Sequence, residues 1–222
     1  EQDYDLEVDW QDLRFEEVKH IFSHRKWHIQ IIAGRVTETQ EYTDREDWIK
    51  EIKDVMFYSG EWIRLDAGLM SEEDALKAWM KRCSSPQVAE LCKSCFENWD
   101  KFNMKKIPGV AEILKEEKEQ GRKLYLLSNA SMRLVPIWRE VLPGSEYFDG
   151  IFYSAAFHCM KPQDIIYERF LKHFSLEAKD CFFIDDLTEN IEGAKKAGLD
   201  GAVLPLPEAS ALRKILEEEK NA

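Results

Sequence analysis

The 222-residue sequence is poor in glycine and proline, with 10 and 7 residues, which excludes collagen-like and low-complexity chains. No apolar run approaches the roughly 18–20 residues of a membrane span, and the N-terminus lacks the basic-then-apolar order of a signal peptide. Basic residues are in deficit, 31 against 43 acidic ones, and the net charge is −12. We therefore expect a cytoplasmic globular protein for which neither nucleic acid nor a membrane is a partner.

Cysteine is also scarce, and the five residues are an odd number, which argues against a disulfide framework. Cys92 and Cys95 have the CxxC spacing of zinc and redox sites. A zinc site needs about four ligands, and no second pair lies at a suitable spacing. Because residues 88–99 have the pattern of an amphipathic helix, we interpret these cysteines as packing residues.

From residue 107 onward, apolar strands alternate with amphipathic helices, the pattern of a parallel α/β sheet. The predicted strands are 123–127, 147–153, 180–184 and 201–205. The predicted helices are 71–80, 86–99, 110–120, 132–141, 164–173, 190–197 and 209–220. The first of these helices opens with a capping box from Ser71 to Asp74.

Polar residues follow three of the predicted strands, where α/β sheets bind their ligands. Ser128 and Asn129 follow the first strand, Lys161 follows the second, and Asp185 and Asp186 follow the third. Adjacent carboxylates repel each other, and a hard divalent cation such as Mg²⁺ offsets that cost. Separately, each group also has a plain interpretation, as a helix cap, a surface charge or a turn. Together they indicate metal-assisted phosphoryl transfer.

These segments resemble the haloacid dehalogenase (HAD) superfamily of phosphatases, in particular a bacterial subgroup with a small helical cap. Residues 126–130 are similar to its second motif, 161–162 to its third and 182–194 to its fourth, while 61–68 resemble the edge of the cap. The resemblance covers about residues 46–205. It implies a Rossmann-like parallel sheet flanked by helices.

The same resemblance assigns roles to the residues at the strand ends. Ser128, with Asn129 beside it, would bind the phosphoryl group of the substrate, and Lys161 would neutralise that group. Asp185 and Asp186 would hold Mg²⁺. Ser128, Lys161 and Asp185 are thus the catalytic candidates, and a small phosphorylated metabolite such as a sugar phosphate is the expected substrate.

The first motif of the family, a strand that ends in the nucleophilic aspartate, is not identifiable. Counting back from residues 57–60 by the usual spacing leads to residues 22–27, which contain no carboxylate. Asp3 and Asp5 have the right mutual spacing but lie too early, with too few residues before them for a strand. We expect Ile29 to Ala33 to supply a substitute strand, which would put Ala33 or Gly34 in the place of the aspartate.

Residues 6–40 instead resemble the C-terminal, NUDIX-like domain of A/G-specific adenine glycosylases, in which a segment matching Phe22 to His24 helps to read oxidised guanine. His20, His24 and His28 are four apart, as metal ligands on a helix would be, but residues 28–32 have the alternation of a strand. Residues 1–40 carry 5 basic and 9 acidic residues, which disfavours contact with DNA phosphates.

The sequence thus predicts three regions: a glycosylase-like segment (1–45), a helical cap (46–106) and a HAD-like α/β core (107–222). The join near residues 41–47 fits a natural gene fusion, a frame error or a deliberate joining. We interpret the chain as a Mg²⁺-dependent hydrolase of phosphoric monoesters, inactive if no other residue supplies the nucleophile. The alternative is a glycosylase-derived fragment fused to a phosphate-binding pseudoenzyme. The sequence does not indicate an oligomeric state.

Overall fold

The structure is a computed structural model that describes residues 43–104 and 106–221, together with the backbone of four short strands nearer the N-terminus. The strands are β1 (Val8–Asp9), β2 (Val18–Phe22), β3 (Arg25–Ile29), β4 (Arg35–Val36), β5 (Tyr125–Ser128), β6 (Gly150–Tyr153), β7 (Phe182–Asp185) and β8 (Asp200–Val203). The helices are α1 (Thr43–Phe57), α2 (Glu61–Asp66), α3 (Glu72–Arg82), α4 (Pro86–Glu97), α5 (Trp99–Asn103), α6 (Val110–Glu119), α7 (Trp138–Val141), α8 (Ser154–Phe157), α9 (Asp164–Phe174), α10 (Thr188–Lys196) and α11 (Ala209–Lys220).

The chain divides into two compact units. One comprises Glu1–Gly60 and Leu76–Met104, and the other comprises Glu61–Ala75 and Lys105–Ala222. Residues 61–75 therefore cluster with the α/β residues, whereas the sequence assigned them to the cap. The predicted division at residues 45 and 106 remains a prediction.

In the first unit, β2 and β3 form an antiparallel hairpin, and β1 pairs with β4. His20 and His28 both lie in strands, so the strand interpretation of His28 is confirmed. Ile29 pairs with Val18, and the substitute strand remains a prediction. Residues 30–34, which include the rest of the expected substitute strand, lie outside the described residues.

The helices of the first unit pack through apolar faces, with α1 against α4. Trp79 is fully buried, and its ring meets that of Phe96 edge-on at 5.1 Å between centroids. Cys92 lies on the buried face of α4, and burial raises the pKa of its thiol and raises that of Cys95 to about 11. Cys92 is thus a packing residue of this helix, as its sequence context predicts.

In the second unit, the strands form two parallel pairs. β5 pairs with β6, with Ser128 opposite Tyr153, and β7 pairs with β8, with Asp185 opposite Val203. The helices that connect them bury Phe152, Tyr167 and other apolar side chains against the strands. This arrangement confirms the predicted α/β fold, and it sets Ser128 and Asp185 at the carboxyl ends of their strands.

The helix predicted over residues 132–141 is wrong. The structure has a short 3₁₀ turn at Met132–Leu134 and then the single turn α7. Pro136 is the cause, because its nitrogen carries no proton to donate to Met132 and its ring clashes with the preceding turn. The serine half of the capping box, in contrast, is confirmed, because the backbone N–H of Asp74 donates to Ser71 Oγ at 3.0 Å. The Asp74 carboxylate accepts from the Ser71 hydroxyl at 2.7 Å.

Among the described residues, no helix is both long enough and apolar enough to cross a lipid bilayer.

Candidate phosphate-binding site

The centre of the candidate site is Lys161, whose side chain is buried at the carboxyl ends of β5 and β7. Its Nζ donates to the backbone oxygen of Leu127 at 3.0 Å and to Asp185 Oδ2 at 2.5 Å. The ammonium also lies 5.5 Å from the centre of the Phe183 ring. Lys161 therefore links the end of β5 to the end of β7 and is not the surface charge that its residue type alone would suggest.

Asp185 is buried to a similar degree, with 6% of each side chain of the pair exposed. Its second oxygen, Oδ1, accepts hydrogen bonds from Asn190 Nδ2 at 2.7 Å and from the backbone N–H of Leu187 at 3.0 Å. Burial by itself raises the pKa of Asp185, but the charge of Lys161 and these hydrogen bonds outweigh it, and the pKa lies below its ordinary value. Asp185 is therefore a carboxylate at neutral pH.

Asn129 holds the backbone of Lys161 in place. Its Nδ2 donates to the Lys161 carbonyl at 2.9 Å, and its Oδ1 accepts from the Lys161 N–H at 2.8 Å. The sequence interpretation made Asn129 a substrate-binding residue, whereas the observed contacts make it a positioning residue for Lys161. The direct role in substrate binding remains a prediction.

Ser128 and Asp186 differ in their exposure from the two residues of the ion pair. Ser128 is half-buried as the last residue of β5. Asp186 is exposed and follows directly after β7. The strand ends thus place Ser128, Lys161 and Asp185 at one edge, as the sequence predicts, with Asp186 on the solvent side.

Two buried polar residues of this region escaped the sequence analysis. Asn190 is buried in the first turn of α10, where it holds Asp185. Ser154, fully buried at the start of α8, accepts from the Ala130 N–H at 2.8 Å and donates to the carbonyl of Asp66. The sequence could have indicated Asn190, since it belongs to residues 182–194, the segment that resembles the fourth motif of the family. Ser154 carried no signal, because its partners are 24 and 88 residues away.

The donor set for Mg²⁺ is incomplete over the residues that the structure describes. Asp185 and Asp186 are adjacent, but both oxygens of Asp185 already accept hydrogen bonds, one of them from an ammonium. Within the described ranges, no three His, Cys, Asp or Glu side chains cluster as metal ligands. These residues alone therefore do not fit a full magnesium site, which usually combines carboxylates with waters and substrate phosphate.

Open α/β sheets bind their ligands beyond the carboxyl ends of their strands, which is where Ser128, Lys161 and Asp185 lie. The sequence profile of the haloacid dehalogenase-like hydrolase family matches residues 58–204. Because this match exceeds half of the chain, the chain belongs to that family.

Two curated relatives have hydrolase names. The chain is 34% identical to a sesquiterpene phosphatase of Aspergillus oryzae over 92 residues, which are 41% of this chain and 47% of that protein. It is 25% identical to a chloroplast flavin mononucleotide hydrolase of Arabidopsis thaliana over 161 residues, which are 71% of this chain and 61% of that protein. The chain thus spans about half to three fifths of the length of these relatives.

Solved structures share the fold. A HAD family enzyme of Bacteroides thetaiotaomicron superposes with a TM-score of 0.58 and 20% identity, covering 77% of this chain and 91% of that one. The same enzyme in complex with magnesium and inorganic phosphate gives a TM-score of 0.53 and 21% identity, covering 72% and 86%. At this identity the likeness shows the fold alone.

Proposed function

We propose that the edge formed by Ser128, Lys161 and Asp185 binds the phosphoryl group of a small phosphate monoester for hydrolysis. The observation that carries the proposal is the burial of a lysine ammonium between the carboxyl ends of β5 and β7. A buried ammonium is a strong point charge for phosphate, and Ser128 lies one residue beyond the carbonyl that fixes it. The family of the chain and the phosphatase and hydrolase among its relatives support this reaction class.

In this proposal, the carboxylate of Asp185 keeps Lys161 in place until an anion arrives. The pair is electrically neutral, so the negative charge of Asp185 weakens the attraction of Lys161 for a phosphate. Asn129 holds the main chain of Lys161 through two hydrogen bonds, which fixes the point from which the lysine side chain extends. Neutralising Asp185 should therefore tighten the binding of phosphate, whereas removing the ammonium should abolish it.

The proposed Mg²⁺ ligands are Asp185 and Asp186, and we expect weak affinity for the ion. Lys161 occupies Asp185 Oδ2, and a cation that enters must displace it or share the carboxylate with it. Isothermal titration should show a Kd well above micromolar, and Lys161→Met should tighten it. Sub-micromolar binding by the unaltered chain would show that further carboxylates complete the site.

Turnover is the test that separates a hydrolase from the phosphate-binding alternative. The chain offers a matched control in Lys118, whose Nζ contacts Asp149 at 2.8 Å beside Leu124, at the amino ends of β5 and β6. Hydrolysis of p-nitrophenyl phosphate with Mg²⁺ should be lost in Lys161→Met and kept in Lys118→Met. Phosphate binding without any turnover would favour the phosphate-binding module instead.

The proposal includes a cytoplasmic location. The five cysteines are all free thiols, which fits a reducing compartment.

A further inference from the structure

Next to the candidate phosphate site, the second unit contains a cleft that the assigned roles do not use. Its volume is about 380 Å³, within the range of roughly 300–1,000 Å³ that is typical of small-molecule sites. Met132 and Ser131 line it from the loop after β5, and Ala155 and Ala156 line it from α8, directly after β6. The cleft therefore lies beyond the carboxyl ends of β5 and β6, three residues along the chain from Ser128.

The opposite wall comes from residues 65–72. Leu65 and Met70 contribute apolar side chains, and Gly68 packs its backbone against α8. A Cβ at Gly68 would collide with the backbone oxygen of Ala155, and the φ of Gly68 is +67°. This close approach, together with the bond from Ser154 Oγ to the Asp66 carbonyl, joins the wall to the strand ends.

The charges around the cleft restrict what it can hold. Glu72 lines it, and the first turn of α3 adds two further acidic residues, Glu73 and Asp74. Among the described residues that line it, one is a histidine, His158, and none is a lysine or an arginine. A ligand with a second phosphate or another anionic group would meet repulsion here, whereas an uncharged, apolar group would be buried against Leu65, Met70 and Met132.

We propose that this cleft binds the hydrocarbon part of the substrate, so that the preferred substrate is the monophosphate of an uncharged, apolar alcohol. This inference rests on the proposed function, because Ser128 and Lys161 anchor the phosphate. It replaces the sugar phosphate expected from the sequence with a less polar substrate class.

The test is an alkyl phosphate series, from inorganic phosphate through butyl to octyl phosphate, titrated calorimetrically into the full chain. Each methylene that is fully buried should tighten binding about threefold to fourfold. Octyl phosphate should accordingly bind at least about tenfold tighter than butyl phosphate. Equal affinities for butyl and octyl phosphate, with phosphate itself bound, would overturn the inference and leave the proposed function intact.

A matched pair of variants locates the alkyl chain. Met132 lines the cleft and is 51% exposed, whereas Val135, three residues later and 40% exposed, does not line it. Met132→Asp should reduce the ratio of octyl to butyl affinity, and Val135→Asp, which adds the same charge, should preserve that ratio. An unchanged ratio in Met132→Asp would contradict the proposal.

Methyl NMR of the methionines provides a readout that does not depend on the phosphate. Millimolar 1-octanol should shift the resonances of Met70 and Met132 in the unaltered chain. If these shifts occur while no phosphate ester binds, the cleft is an apolar site and the proposed function fails. If octyl phosphate binds and both resonances stay unchanged, the alkyl chain lies elsewhere and the inference fails.

Discussion

Lys161 and Asp185 form a buried ion pair, in which Nζ of the lysine donates to Oδ2 of the aspartate at 2.5 Å. The two residues are 24 positions apart, and their pairing brings the segment after β6 to the end of β7. A buried pair of this kind stabilises little in net terms, since desolvation opposes the attraction. The pair is detected instead by the loss of stability that follows when one partner is removed and the other stays buried.

A double-mutant cycle should show that loss. Lys161→Met leaves the Asp185 carboxylate buried without its counter-ion and should lower the free energy of unfolding by about 3–5 kcal/mol. The double variant Lys161→Met/Asp185→Asn, measured by urea denaturation, should lose less than Lys161→Met alone.

Lys118→Met is the matched control for this cycle, because Lys118 and Asp149 are each 31% exposed. Removing this more exposed partner should cost about 1 kcal/mol or less. Equal losses in Lys161→Met and Lys118→Met would contradict the burial of the central pair.

The same pair should make the free energy of unfolding depend on pH in acidic solution. Because the pKa of Asp185 is lowered in the folded state, the unfolded chain binds more protons between the two pKa values, and stability rises with pH there. The contribution of Asp185 is complete above its unfolded pKa, about 3.9, and is lost as the pH falls towards the folded value. When the free energy of unfolding is measured from pH 6 downward, it should therefore fall less steeply in Asp185→Asn than in the unaltered chain. Parallel curves would refute the lowered pKa.

Gly68 should be intolerant of any side chain. In Gly68→Ala, the new methyl group would collide with the Ala155 carbonyl, in addition to the strain of a positive φ. Gly121 has a φ of +87°, and a Cβ added there would meet no atom within 4 Å, so Gly121→Ala isolates the backbone strain, about 1–2 kcal/mol. Thermal denaturation should show a clearly larger loss of stability for Gly68→Ala than for Gly121→Ala. Similar losses would mean that the backbone around Gly68 shifts at little cost to accept the methyl group.

The cysteines of α4 should be unreactive in the folded chain. Burial raises the pKa of both Cys92 and Cys95, the latter to about 11, so neither thiol forms much thiolate at pH 8. Labelling with a disulfide reagent at that pH should be slow for both residues and should become fast in denaturant. Rapid native labelling of Cys92 would revive the redox interpretation of the CxxC spacing.

The sequence predicted the strand ends well, because β5 and β7 are apolar runs followed by polar residues. It could not predict the contacts of Lys161, since Leu127 and Asp185 are 34 and 24 residues away and only the packing of the strands brings them together. The role of Asn129 could not be predicted either, because a side-chain amide can form hydrogen bonds with a ligand or with the protein backbone. The helix predicted over residues 132–141 is wrong because Pro136 interrupts the segment between Met132–Leu134 and α7.

The most direct test of the account is the binding of inorganic phosphate, titrated calorimetrically without divalent cations. We expect weak binding by the unaltered chain, tighter binding by Asp185→Asn, which removes the carboxylate charge beside the ammonium, and none by Lys161→Met. Lys118→Met and Asp149→Asn, which alter the pair at the opposite strand ends, should behave like the unaltered chain. Phosphate binding that survives in Lys161→Met, or that weakens in Asp185→Asn, would contradict the assignment of Lys161 as the residue that holds the phosphoryl group.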